Sequence, residues 1–156
     1  MKMMDIFRFP KRGRLLRSLP LLIALSATFP LAHEIARDGN VGGLIHIEPD
    51  DAPLAGKPNR ASFEVNQRGG RAILLSQCAC RLSVYAGGMR PGARPASTPK
   101  LSQGKSELTA VLNFPAAGAY TLVLQGRPRA GADFPSFTLK WTVRADITAG
   151  GGGHPH

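Results

Sequence analysis

Apolar and polar side chains alternate along much of this chain, and this period of two constrains its fold more than any other feature. The pattern is clearest over 136–144, where Phe137, Leu139, Trp141 and Val143 are apolar and the residues between them are polar. Successive side chains of a β-strand point to opposite faces, so the pattern predicts a strand with one buried and one solvated face. Six further runs of strand character occur at 41–48, 62–66, 71–76, 80–85, 108–114 and 120–125.

Glycine and proline separate these runs. The 156 residues include 18 Gly and 13 Pro, which cluster at 67–70, 86–100, 115–118 and 126–135. Such clusters mark turns, and the sequence between them shows no convincing amphipathic helix. Because 43% of the residues are hydrophobic, the chain has enough apolar material for the core of one domain. We predict an all-β fold over 33–146, a seven-stranded antiparallel sandwich of two sheets, with a small closed barrel as the alternative.

One turn has the composition of a known sandwich corner. Residues 113–120 (NFPAAGAY) resemble the E–F corner of immunoglobulin-like domains, in which a Tyr opens strand F. Antibody domains carry a Cys two residues after that Tyr, whereas this chain has Leu122. The resemblance therefore implies an immunoglobulin-like sandwich without the usual disulfide between the sheets. The alternative is an ordinary turn followed by a strand that contains Tyr120.

The first 32 residues have the layout of a secretory signal peptide. Six basic residues and one acidic residue lie within 1–18, and the apolar run 19–31 follows them. This run is too short to span a hydrocarbon core, which needs about 20 helical residues. We predict a signal peptide over 1–32 with cleavage after Ala32, and Ala27 is the competing position. The alternative is an uncleaved N-terminal anchor or a buried helix.

The net charge of the residues after the predicted signal peptide limits the kinds of partner that the chain can bind. The net charge of the chain is +10, but from His33 onward 14 basic residues stand against 9 acidic ones. Aromatic and basic residues are not interleaved as base stacking requires, so we expect no nucleic-acid partner. In an exported chain, periplasmic or secreted, this moderate excess of positive charge favours solubility and attraction to an anionic envelope surface.

Two short motifs carry a family resemblance. Ala32-His33-Glu34 follows the apolar leader, and residues 118–122 (GAYTL) form a Gly-x-Tyr-x-Leu strand. In these features the chain resembles the periplasmic copper-handling modules of the CopC-like and YtkA-like groups, over about 33–144. The resemblance implies an immunoglobulin-like fold and copper binding. The chain departs from the pattern because it lacks an Asp-x-His pair near the last strand and a Met-rich copper segment.

The sequence carries no recognisable pattern of an enzyme. It has no Gly-x-Ser-x-Gly, no His-Glu-x-x-His and no phosphate-binding glycine loop. The four histidines stand at 33, 46, 154 and 156, and the last two lie in a Gly-rich tail, 147–156, that we expect to be disordered. We therefore expect a binding module and not an enzyme.

The most unusual local sequence is Cys78-Ala79-Cys80. Residues i and i+2 of a strand face the same side with Cα atoms about 6.6 Å apart, so a flat strand cannot close a disulfide between them. Three interpretations stay open: a disulfide at a bend, two thiolates that clamp a soft metal ion, or packing residues that begin the core face continued by Leu82 and Val84.

His46 begins an acidic stretch, His-Ile-Glu-Pro-Asp-Asp, at 46–51. If the isoleucines on either side of His46 face the core, His46 and Glu48 face water and the following residues form an acidic turn. An imidazole beside carboxylates suits a borderline metal such as Cu(II). Cleavage after Ala32 would add the amine and the ring of His33 to the same ion. The alternative is a solvated strand face followed by an Asp-rich turn.

The segment 86–107 is long for a loop inside a compact domain, and such loops usually have a function or are mobile. Against the single acid Glu107 it carries the basic residues Arg90, Arg94, Lys100 and Lys105. These cations suit an acidic partner or lipid headgroups. The alternative is a disordered excursion.

These observations predict an exported, non-catalytic module of the envelope that binds a metal ion. Copper is the preferred ion, and the candidate ligands are His33, His46, Cys78 and Cys80. The two histidines and the two cysteines need not form one site. The alternative is a module without metal that docks on an envelope protein or on the membrane surface through segment 86–107.

Overall fold

The computed structural model describes residues 34–147, and in that range it contains eight strands and no α-helix. The strands are β1 (Ile35–Asp38), β2 (Val41–Ile47), β3 (Pro58–Gln67), β4 (Cys78–Ala86), β5 (Ser102–Gln103), β6 (Leu108–Asn113), β7 (Gly118–Pro128) and β8 (Phe137–Ala145). A short 3-10 turn at Leu75–Gln77 precedes β4. Over these residues no helix is long and apolar enough to cross a membrane. The all-β prediction is confirmed.

The strands form two sheets in which all neighbours are antiparallel. The larger sheet has the order β1-β2-β3-β6-β5, and the smaller has the order β4-β7-β8. Buried residues of both sheets belong to one hydrophobic cluster. Within it, Phe63 of β3 packs on Trp141 of β8 with the ring centroids 5.5 Å apart. One core therefore joins the two sheets.

The alternation in the sequence matches the alternation of burial in the sheets. Leu122 and Leu124 of β7 are fully buried, as are Leu139 and Trp141 of β8. Gly43 of β2 faces the same core, and a Cβ at this position would meet Leu139 at 2.6 Å and Trp141 at 2.8 Å. Because these side chains occupy the space that a Cβ would need, the strand carries a glycine there.

Tyr120 closes the turn between β6 and β7. Its hydroxyl donates to the Ala116 carbonyl at 2.7 Å and accepts from the Ala116 amide N–H at 3.2 Å. The ring packs on Phe114 with a centroid distance of 4.7 Å. One buried phenol thus satisfies two backbone groups of the turn and contributes to the core.

A buried amide organises the loop before β3. Asn59 is almost fully buried, and its Oδ1 accepts the Leu54 amide N–H at 2.7 Å. Its Nδ2 donates to the carbonyls of Leu54, Lys57 and Leu112. All these partners are backbone groups, so the side chain ties the loop to β6 as a backbone segment would.

β1 covers the edge of β8 although the two strands belong to different sheets. The Thr138 amide N–H donates to the Asp38 carboxylate at 2.7 Å, and the Thr142 amide N–H donates to the Glu34 carboxylate at 3.2 Å. The indole N–H of Trp141 donates to the Glu34 carbonyl at 2.9 Å. These bonds occupy amides that an edge strand would otherwise offer to another chain.

The prediction of a strand at 71–76 is wrong. Ile73 is buried and its amide donates to the Val65 carbonyl at 2.8 Å, but the chain then enters the 3-10 turn and crosses to the smaller sheet. The apolar run marks this crossing and does not form a strand. Two strands, β1 and β5, were not among the predicted seven. The predicted signal peptide at 1–32 and residues 148–156 of the tail lie outside the described residues.

Candidate functional site

His46 lies near the end of β2 on the face that points away from the core. Its Nδ1 lies 2.9 Å from Oδ1 of Asp51, which also accepts the Ile47 amide N–H at 2.7 Å. The turn at 48–51 makes this contact, and Asp51 there has a φ of 55°. Asp tolerates the left-handed conformation better than most residues because its short side chain can bond locally. The acidic turn therefore sets a carboxylate against the imidazole.

A shallow depression of about 340 Å³ adjoins the imidazole. Glu48, Arg60 and Glu107 line it together with His46. The Ser106 amide N–H donates to the Glu107 carboxylate at 2.9 Å and holds the pKa of that group below its usual range. Glu107 is therefore an anion at neutral pH. The depression brings one imidazole, two carboxylates and one guanidinium to the same surface.

Within residues 34–147, no three or more His, Cys, Asp or Glu side chains are grouped closely enough to hold a metal ion. His46 and Asp51 form a pair, so a metal centre there needs a further donor. His33, the other histidine of the copper hypothesis, lies outside the described residues, as do His154 and His156.

Cys78 and Cys80 form a disulfide at the start of β4. Their Cα atoms lie 5.1 Å apart, closer than the ~6.6 Å of a flat strand, so the chain has the bend that a disulfide requires. Both residues pack on the core side of the smaller sheet, whereas His46 faces outward from the larger one. The structure therefore does not bring His46 together with the two cysteines. Thiolate ligands for a soft metal exist only once this bond is reduced.

The segment 86–107 is attached to the edge of β4. The Val84 amide N–H donates to the Ser97 carbonyl at 2.9 Å, and the Ala96 amide N–H donates to the Val84 carbonyl at 2.7 Å. Further along, Leu101 is buried in the core. The four cations are exposed on this anchored backbone: Arg90, Arg94, Lys100 and Lys105.

The sequence analysis did not identify a groove between β4 and residues 98–101. The groove has a volume of about 400 Å³, and its lining includes Cys80, Arg81 and Lys100. These residues come together because the 86–107 segment returns to β4 at Val84. This contact is nonlocal, and no local pattern in the sequence signals it.

The chain was compared with protein-family models, with curated proteins and with solved structures, and none of the three comparisons finds a match.

Proposed function

We propose that this chain is an exported, non-catalytic binding module, periplasmic or secreted, that holds one copper ion at His46. The observation that carries the proposal is the Asp51 carboxylate placed against Nδ1 of His46. Metal-binding histidines usually donate one ring N–H to a carboxylate or carbonyl, which fixes the tautomer and orients the other nitrogen. Imidazole is a good ligand for Cu(II), and a nearby carboxylate is a compatible second donor.

We propose an immunoglobulin-like sandwich as the fold of this module. When β2, β3, β6 and β5 are taken as strands A, B, E and D, and β4, β7 and β8 as C, F and G, both sheet orders match the seven-stranded constant-type domain. The hydrogen bonds of Tyr120 support this assignment, because they are those of a tyrosine corner. β1 is then an addition before strand A. Trp141 lies on strand G, whereas antibody domains carry their buried Trp on strand C.

The second ligand in this proposal is His33. β1 and β2 are antiparallel, and Ile35 lies opposite Leu44. His33 lies outside the described residues, one position before Glu34. Cleavage after Ala32 would then offer an amine and a second ring to an ion at His46, which is a nitrogen-rich set suited to Cu(II).

Titration with Cu(II) of two chains that differ by one residue tests this proposal. One chain begins at His33 and the other at Glu34, and both end at Ile147 so that the tail histidines are absent. We expect the longer chain to bind one Cu(II), measured by calorimetry and electron paramagnetic resonance. Removing His33 or changing His46→Ala should each weaken binding by about tenfold or more, since each removes a donor.

Two further variants separate ligand effects from effects on the fold. Asp51→Asn should weaken Cu(II) binding by roughly 10–100-fold, because the carboxylate orients the ring. Ser62→Ala is the matched control, since Ser62 lies directly opposite His46 on β3. We expect no change in its Cu(II) affinity. Equal affinities for the parent chain and His46→Ala would overturn the copper proposal.

A second function is favoured by the anchored segment 86–107. Its exposed cations could dock the module on an anionic surface without any metal. Sedimentation with vesicles that contain anionic lipid tests this alternative. Changing Arg90, Arg94, Lys100 and Lys105 to Gln should abolish the binding, and salt should weaken it in the parent protein. Binding that persists in the quadruple variant would exclude this surface as the docking site.

A further inference from the structure

The two residues of the Cys78–Cys80 disulfide differ in burial. Cys78 is fully buried. A Cβ on Gly126, the residue opposite Cys80 on β7, would lie 2.9 Å from the Cys78 sulfur and would also run into the Phe137 ring. Cys80 is partly exposed and lines the groove beside β4. Of the two cysteines, Cys80 is therefore the one open to a reagent dissolved in water.

The groove beside Cys80 is positively charged. Arg81 and Lys100 line it and are both exposed, and none of the acidic residues within 34–147 belongs to its lining. Cations that line a groove attract an anionic nucleophile and favour its thiolate form as it approaches. The other lining residues are mostly apolar and shape the groove without contributing charge.

We propose that Cys80 is the entry point for thiol–disulfide exchange, and that the substrate class is an anionic thiol. This inference is independent of the copper proposal, since it uses other residues on another sheet. It rests on the partial exposure of Cys80, the burial of Cys78 and the two cations of the groove. A small thiol that carries a carboxylate or sulfonate, or a cysteine within an acidic peptide, has the required chemistry.

The exchange proceeds in two balanced steps. A thiolate attacks Sγ of Cys80, forms a mixed disulfide with it and displaces the sulfur of Cys78, which takes up a proton because burial disfavours a bare charge. A second thiolate then attacks the sulfur of the first thiol and releases the Cys80 thiolate. The two thiols are oxidised to one disulfide, the Cys78–Cys80 bond is reduced to two thiols, and no other oxidant is consumed.

The test exposes the oxidised full-length chain, under native conditions, to thiols of similar size and different charge. Mercaptoethanesulfonate is anionic, mercaptoethanol is neutral and cysteamine is cationic. The reaction is quenched with iodoacetamide added together with denaturant, which exposes the buried thiol, and peptide mass spectrometry locates the thiol adduct and the alkylated sulfur. We expect the adduct on Cys80 and the alkyl group on Cys78. The rate of adduct formation is corrected for the thiolate fraction of each reagent. It should be highest for the anionic thiol, lower for the neutral thiol and lowest for the cationic thiol.

Charge variants test the role of the groove. Lys100→Gln and Arg81→Gln should each lower the rate ratio of anionic to neutral thiol by roughly twofold to fivefold, as the removal of one nearby exposed charge predicts. Lys57→Gln is the matched control. Lys57 is exposed and follows Leu54 and Ala55, which lie against Asp146 and Phe114 and not against the Cys80 end of β4.

Three results would overturn the inference: an adduct on Cys78, an adduct that forms only after the chain is denatured, or equal rate ratios in Lys100→Gln and Lys57→Gln. Circular dichroism of each variant before the assay shows whether it is folded. A folded variant with an unchanged ratio removes the electrostatic part of the proposal. An adduct on Cys78 removes the assignment of the entry point.

Discussion

The two edges of the smaller sheet are covered in different ways. At the β8 edge, the side chains of Asp38 in β1 and of Glu34, just before β1, accept the amides of Thr138 and Thr142. Trp141 holds the same segment from inside the core. At the β4 edge, residues 96–97 pair with Val84 alone. The groove lies beside the part of β4 that precedes this contact and includes Cys80. The described residues also offer no hydrogen-bond partner to the buried hydroxyl of Ser97.

This difference separates structural residues from chemically accessible ones. Two carboxylates occupy amides of the β8 edge, so fewer backbone donors remain there for a partner strand. The β4 edge is held at one point, and Cys80, the less buried of the two cysteines, lies beside the opening. We infer that stability depends mainly on the β8 side and that reactivity is confined to the β4 side.

Trp141→Ala should have the largest effect on stability. The side chain is fully buried, packs on Phe63 and donates to Glu34, so its loss leaves a large cavity and releases β1. We expect the free energy of unfolding to fall by about 3–5 kcal/mol. Urea unfolding followed by far-UV circular dichroism measures it, because Trp141 is the sole Trp of the chain.

The matched control for this change is Val111→Ala on β6, where the side chain is half exposed. Its cost should stay within about 0.5 kcal/mol. If Trp141→Ala cost no more than Val111→Ala, the β8 edge would not be the stabilising one.

Gly126→Ala should rank second. The new methyl would run into Phe137 and the sulfur of Cys78, and overpacking of this kind costs about 1–3 kcal/mol. The control is Gly88→Ala, where a Cβ meets open space. Denaturant unfolding gives the free energy of unfolding of both variants. A larger loss for Gly126→Ala would show that the core beneath β4 is tightly packed, although the edge of β4 is open. Equal stabilities would contradict the tight packing around Cys78.

Reduction of the Cys78–Cys80 disulfide should cost less, about 2 kcal/mol at most. The bond closes a very short loop, so it restricts the unfolded chain little. Thermal unfolding with and without a reductant measures the change, with Cys78→Ser/Cys80→Ser as a variant that reductant cannot affect. Loss of cooperative unfolding on reduction would contradict the inference that stability depends mainly on the β8 side.

Asp38→Ala should have the smallest effect, about 1 kcal/mol, because an exposed carboxylate and one amide are separated. Its signature is local. Hydrogen exchange at the Thr138 amide should accelerate, while exchange at Thr142, which Glu34 holds, should not. Unchanged protection at Thr138 would mean that the edge is covered by something other than this carboxylate.

The sequence predicted the strands whose burial alternates and missed those that lack this signal. β6, β7 and β8 each bury every second residue over several positions, so their period of two is visible. β1 buries only Ala36 and is held by bonds from its polar side chains, which leave no hydrophobic pattern. At 71–76 the error is the reverse, since a strand was predicted where none forms. The apolar run there shows no alternation and connects the two sheets.

The candidate sites were predictable as far as they are local. The contact of His46 with Asp51 spans five residues and one turn, and the sequence already placed a carboxylate near the imidazole. The sequence left three states open for Cys78 and Cys80, because the choice depends on a backbone bend that residue types do not specify. Lys100 and Cys80 line the same groove because the chain returns to β4 at Val84. No pattern in the sequence predicts this nonlocal contact.

The bonds between β1 and β8 determine how the molecule would carry a mechanical load. Tension applied to the chain before Glu34 reaches Trp141 and Thr142 as soon as it reaches the β1–β2 ladder. The pull is thus shared between both sheets at its point of entry, and peeling β1 from β2 requires the indole and amide bonds to break as well. A module tethered through its N-terminal side would resist force at that end, while its thiol-accessible β4 edge would remain unloaded.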